Sequence, residues 1–118
     1  MFVASDVALQ FVASVRSVVE AVARCDANLA DQLRRAVTSA ALNTAEAGRR
    51  EGRDRGHRAR IAGAECAEAI AAAEAQEVKA ALRVAVAWGY VAPPALADAL
   101  GFADRLQAIL WRLGHPRR

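Results

Sequence analysis

Aromatic residues are scarce in this chain. Three Phe, two Trp and one Tyr are spread over 118 residues, with one Met, two Cys and three Pro. Cys25 and Cys66 stand in no CxxC or other metal spacing, which excludes a disulfide scaffold. They read as two small apolar side chains in a reducing cytosol. Long hydrophobic runs are also missing. The longest uncharged stretch, Val84–Ala97, is 14 residues and holds Pro93 and Pro94. A bilayer needs about 20 unbroken apolar residues. The first basic residue is Arg16, after Asp6, so no basic signal-peptide start is read. The expectation is a soluble, cytoplasmic protein. A length of 118 residues and 12.5 kDa excludes a multidomain enzyme and fits one domain, residues 1–118.

Alanine is what the chain has instead, at 31 positions, and helix is the state alanine favours most. With 55% hydrophobic and 25% charged residues, the composition is that of a folded chain. Four helices are expected, over about 4–24, 28–47, 54–88 and 94–113. In the first, Val7, Phe11, Val15, Val18 and Val22 share one face at 100° per residue, with Val12 and Val19 beside them. So many valines favour strand in isolation, but period 3.6 fits and period 2 does not. Asp26 or Asn28 caps the second helix. Its apolar stripe is Leu29, Leu33, Ala36, Val37, Ala40, Thr44 and Ala47. A polar row of Gln32, Arg35, Ser39, Asn43 and Glu46 flanks that stripe within about 80°. Such a row faces solvent or forms a half-buried hydrogen-bonded seam.

Gly48, Gly52 and Gly56 place a turn after helix two, and Asp54 caps helix three. Gly89 is the expected C′ residue after Trp88, and Pro94 opens helix four. In helix four Leu96, Leu100, Ala103, Leu106, Leu110 and Leu113 form a seam, widened by Phe102, Ile109 and Trp111. That arc spans roughly 200°, more than one core-facing stripe needs. Helix three repeats itself: Ile61–Ala69 is echoed by Ile70–Val78 at an offset of nine residues. Nine residues leave a helix half a turn out of phase, so Ile61 and Ile70 point to opposite sides. Chance likeness among Ala and Glu explains the echo equally well. The expected fold is all-α, an antiparallel up-down four-helix bundle. Its core is poor in large side chains, and together with the wide arc this points to a homo-oligomer.

The charge is uneven. Between Arg49 and Arg60 the chain holds six arginines, Arg49, Arg50, Arg53, Arg55, Arg58 and Arg60, against Glu51 and Asp54. That segment nets +4, and the rest of the chain −1. Arg112, Arg117 and Arg118 add a smaller cluster, expected at the same end of the bundle. Guanidinium forks suit phosphate oxygens. A solvated turn whose arginines pair with local acids is the plainer alternative. No aromatics interleave the arginines, so base stacking is not expected. Catalytic signals are absent. His57 and His115 both lie among arginines, which disfavours a metal. Glu65/Glu68 and Glu74/Glu77 lack the histidines of a di-iron bundle. No nucleophile elbow or P-loop is present. The chain reads as a non-enzyme without metal or cofactor.

One longer phrase carries a likeness. Gln32-Leu33-Arg34-Arg35-Ala36 … Ser39 … Asn43-Thr44-Ala45-Glu46, with Glu77, Leu82, Ala85 and Gly89-Tyr90 later, resembles a known bacterial group. These are the four-helix-bundle proteins of 23S rRNA intervening sequences and the accessory variability proteins of diversity-generating retroelements. The likeness covers roughly Leu29 to Leu113. Ala47 stands where the group has glycine, and Ala73-Glu74 where it has Gly-Ser. Counting from Asn43, Glu68 takes the place of the group's glutamate; counting back from Gly89, Glu77 does. The resemblance implies a ring-like homo-oligomer, a pentamer, with a basic surface for RNA or DNA. In the retroelement branch it also implies a reverse-transcriptase partner. Gln32, Arg35, Ser39, Asn43 and Glu46 then form a motif seam that locks register or a subunit boundary. The rival expectation is a scaffold that docks a partner protein on the apolar face of helix four.

Overall fold

The computed structural model describes the main chain of residues 3–53 and 62–115, and the side chains of 3–49 and 67–115. The valine-rich start forms α1, Val3–Ala23, with Asp6 in its first turn, where a carboxylate complements the helix dipole. Val7, Phe11, Val15, Val18 and Val22 are buried, as the 3.6 period requires. Helix α1 ends in a tight turn, with Cys25 N–H bonded to Val22 O at 2.9 Å and Asp26 N–H to the same oxygen at 2.7 Å. Asp26 then caps α2, Ala27–Arg53, its Oδ1 accepting from Leu29 N–H at 3.0 Å. Cys25, expected as a small apolar side chain, is exposed in that turn, and the Cys66 side chain lies outside the described residues.

All seven residues of the expected α2 stripe are buried. Thr44 satisfies its hydroxyl by donating to Ala40 O at 2.7 Å, which lets it sit among alanines. The helix does not stop at Ala47 but continues to Arg53. Two glycines weaken an α-helix by about 1 kcal/mol each without forbidding it. The expected cap at Asp54 and the start of helix three there lie outside the described residues.

Helix α3, Ala62–Ala87, closes as expected at Gly89, whose φ is +82°. Tyr90 N–H reaches back to Ala85 O and Gly89 N–H to Val86 O, each at 2.9 Å, a Schellman ending. Pro93–Leu96 form one 3-10 turn before α4, Ala97–Gly114, so Pro94 is the second residue of that turn and the α-helix opens three residues after it.

Each helix packs on two others: α1 on α2, α2 on α3, α3 on α4, and α4 on α1. The result is a rod of 48 × 22 × 21 Å. Among the described residues the fold is all-helical, with four α-helices and no strand. Phe11, Leu33, Leu82, Leu106 and Leu110 are the largest side chains fully inside, and alanine fills about half of the buried apolar positions. The arc of α4 proves less idle than its width implied. Leu100, Phe102, Ile109 and Leu113 are half-buried against the core, and only Trp111 stands clear.

The repeat in α3 is out of phase in space as well. Glu68 and Ala67 of the first copy are buried, while their counterparts Glu77 and Gln76 are exposed. Ala69 is exposed and its counterpart Val78 is buried. Ile70 lies largely in solvent, and Ile61 falls outside the described residues.

Candidate nucleic-acid interface and the helix seams

The polar row on α2 divides into two parts. Gln32 and Arg35 are exposed, and Arg35 Nε pairs with Asp31 Oδ2 one turn back at 3.0 Å. Ser39, Asn43 and Glu46 are half-buried. Ser39 Oγ donates to Glu74 Oε2 on α3. Asn43 Nδ2 donates to Glu74 Oε1 at 3.2 Å, and also approaches Ser39 O at 3.0 Å and Ser39 Oγ at 3.2 Å. A charged acceptor strengthens such bonds. Glu46 accepts from Arg49 in its own helix.

Glu74 on α3 is therefore a carboxylate that completes the seam. Glu77 points to solvent, and Glu68 is buried, with Oε2 3.2 Å from where a Cβ on Gly114 would sit. A sequence signal for Glu74 did exist. It follows buried Ala71 by three residues and precedes buried Val78 by four, so the helical net sets it beside the core row. No local pattern pairs it with Ser39 and Asn43, because the span between α2 and α3 has no fixed register.

A second seam joins α3 to α4. Lys79 Nζ contacts Asp104 Oδ1 at 2.6 Å and Gln107 Oε1 at 3.1 Å. Gln107 Nε2 donates to Gln76 Oε1 at 3.1 Å and to Ala72 O at 3.4 Å. The Lys79 side chain is 14% exposed while that of Asp104 is 66% exposed, so the stem is covered and the charge meets its partner at the rim. A third link closes one end of the rod: Tyr90 Oη donates to Asp26 Oδ2 at 3.1 Å. Burial raises the Tyr90 hydroxyl above its usual value, and the hydrogen bond to Asp26 and that carboxylate's charge push the same way.

The basic end lies opposite. There α2 carries Arg49, Arg50 and Arg53 along its last described turns. Arg49 is exposed, and its guanidinium meets Glu46 in an open pair of small energetic weight. The side chains of Arg50 and Arg53, and the whole of Arg55, Arg58 and Arg60, lie outside the described residues. Arg112 is exposed in the last turn of α4, whose Gly114 abuts Glu68 near the start of α3. Arg117 and Arg118 fall outside the description.

Apolar surface also remains open away from this end. A groove of about 440 Å³ runs between α1 and α2, lined by Leu9, Val12, Val19 and Val37, with Arg16 and Arg34 at its edge. Leu9 is 64% exposed. Among the described residues no three His, Cys, Asp or Glu side chains gather as a metal site, and no helix is long and apolar enough to cross a membrane. No family model, curated protein or solved structure matches this chain.

Proposed function

We propose that this protein is a non-catalytic, self-assembling helical bundle that binds the phosphates of RNA or DNA through its arginine-rich end. One observation carries the reading: α2 runs on past Ala47 as helix, taking Arg49, Arg50 and Arg53 out along its end. Positions 49, 50 and 53 fall within about 100° around the helix axis, so they share one side. Arg55, Arg58 and Arg60 follow directly in the chain. Repeated guanidinium groups with little acid among them attract a polyanion from a distance and grip phosphate oxygens on contact.

An antiparallel up-down arrangement supports the same picture. Along α2 the partners on α3 descend, from Tyr90 opposite Asp26 to Glu74 opposite Ser39 and Asn43. Lys79 with Asp104, then Ala72 with Gln107, repeat the pattern between α3 and α4. The α2–α3 connection and the C-terminus of α4 then share one end. Assembly into a closed ring, a pentamer if the likeness to the intervening-sequence and retroelement proteins holds, multiplies that basic surface. A reverse transcriptase is the protein partner that the retroelement branch adds.

The test is a salt-titrated binding measurement with labelled RNA and DNA oligonucleotides, on wild type and on Arg49→Ala, Arg50→Ala, Arg53→Ala and Arg55→Ala combined. Circular dichroism checks that both stay helical. The slope of log affinity against log salt is expected to shrink by roughly 0.7–0.9 for each arginine that contacts a phosphate. Equal binding by the two proteins, or none by either, overturns the reading. In that case the scaffold role through the apolar side of α4 takes its place. Light scattering reads the assembly directly, as a mass that is a multiple of 12.5 kDa.

A further inference from the structure

Trp111 is 61% exposed, although an indole is among the side chains that gain most from burial. One of its faces is already covered. The imidazole of His115 stacks on it with ring centroids 4.1 Å apart and planes within 10°. His115 Nδ1 lies 2.8 Å from Trp111 O, and a carbonyl oxygen only accepts, so that nitrogen carries the proton. The last turn of α4 thus holds the imidazole against one face of the indole, and the exposure belongs to the other face and the edge. Arg112, next in the chain, is exposed as well. Gly114 abuts Glu68 at the beginning of α3, which sets this pair at the end of the rod that α2 approaches through Arg49. No aromatic interleaves the arginines in sequence, but folding brings one to their end from the last helix.

We infer that Trp111, backed by His115 and flanked by Arg112, is a stacking platform for an unpaired base of a single-stranded nucleic acid. The inference rests on the polyanion reading of the same end and narrows its ligand from any phosphate polymer to single strands. Every base has a π face, so the platform favours no particular sequence. In a duplex those faces are taken by neighbouring pairs, and the platform stays empty. Trp88 supplies an internal control. It is equally open to solvent but sits at the opposite end, stacked near Tyr90 and so next to the Asp26 carboxylate.

The experiment uses Trp88→Phe, which leaves Trp111 as the only tryptophan. This protein is titrated with a uridine homopolymer, with a duplex and with inorganic polyphosphate, which has the charge without bases. The uridine polymer is expected to quench Trp111 fluorescence, while the duplex and polyphosphate bind without quenching. Trp111→Ala is expected to weaken the homopolymer by about 5- to 100-fold and to leave polyphosphate affinity unchanged. Trp111→Phe retains part of the difference. An exposed side chain carries little of the fold, and the quenching arm keeps Trp111 intact in any case. Binding without quenching, equal quenching by duplex, or an unchanged affinity in Trp111→Ala overturns the platform and leaves phosphate binding standing. Failure of all three polymers to bind overturns both readings.

Discussion

Glu74→Ala is the sharpest perturbation of the seam between α2 and α3. It removes the acceptor for both Ser39 Oγ and Asn43 Nδ2. Hydrogen bonds to a charged group contribute about 1.5–3 kcal/mol each when well buried. This seam is half-buried, so a total near 2 kcal/mol is the better expectation. Alanine's higher helix propensity returns a few tenths. For a chain of this length each kcal/mol moves Tm by roughly 4 °C, so a fall of roughly 8 °C is expected in thermal circular dichroism. Protein concentration is held constant, because self-association would also shift Tm. Ser39→Ala and the double variant complete a cycle in which propensity effects cancel. The coupling energy is expected at about 1 kcal/mol. Nucleic-acid affinity, measured well below Tm, is expected to stay at its wild-type value. Additive effects within about 0.3 kcal/mol would refute the pairing. An affinity loss without a stability loss would place Glu74 at the ligand instead.

Gly89→Ala is expected to destabilise the fold by about 1 kcal/mol in urea denaturation, through its positive φ alone, because an added Cβ there meets nothing within 4 Å. Phe11→Ala, at the one fully buried aromatic among the described residues, is expected to cost about 3–5 kcal/mol, read as a lowered urea midpoint or a failure to fold. Tyr90→Phe removes the bond to Asp26. Because the folded hydroxyl titrates above the ordinary tyrosine value of 10.0, its contribution is complete below that pH and is lost as pH rises through the folded value. The stability gap between wild type and Tyr90→Phe should therefore be constant near neutral pH and close under strongly alkaline conditions; a gap that widens there would contradict the assigned hydrogen bond.

Local rules made much of this fold legible. The valine face of α1 and the mixed stripe of α2 are buried residue for residue, because burial on a helix follows a period that any single segment displays. Asp26 and Gly89 were readable for the same reason, since caps depend on a few adjacent residues. The end of α2 was not. Three glycines at four-residue spacing argue for a turn, yet each weakens the helix by only about 1 kcal/mol, within reach of what neighbouring residues restore. The width of the α4 arc is legible, but not what covers it, because a helix between two neighbours buries both flanks of its stripe as well as its centre. The polar partners were hidden for a different reason. Glu74, Lys79 and Gln107 bond residues from 25 to 35 positions away, and no local pattern states which side chains meet across two helices.

Those hidden partners bear most on α3. Its buried face is mainly alanine, and alanine rows offer few knobs to distinguish one register from the next. Its half-turn repeat also gives it two similar faces, since either copy alone could turn its alanines inward. Apolar burial therefore discriminates weakly between the observed rotation of α3 and one turned by half a revolution. Polar contacts discriminate strongly, because a half-buried carboxylate or ammonium without its partner is costly. In the observed rotation Glu74 faces Ser39 and Asn43 on one side, and Lys79 faces Asp104 and Gln107 on the other. Turning the helix over would break both sets at once. Ser39 and Asn43 on α2 thus act as register keys for their alanine-rich neighbour.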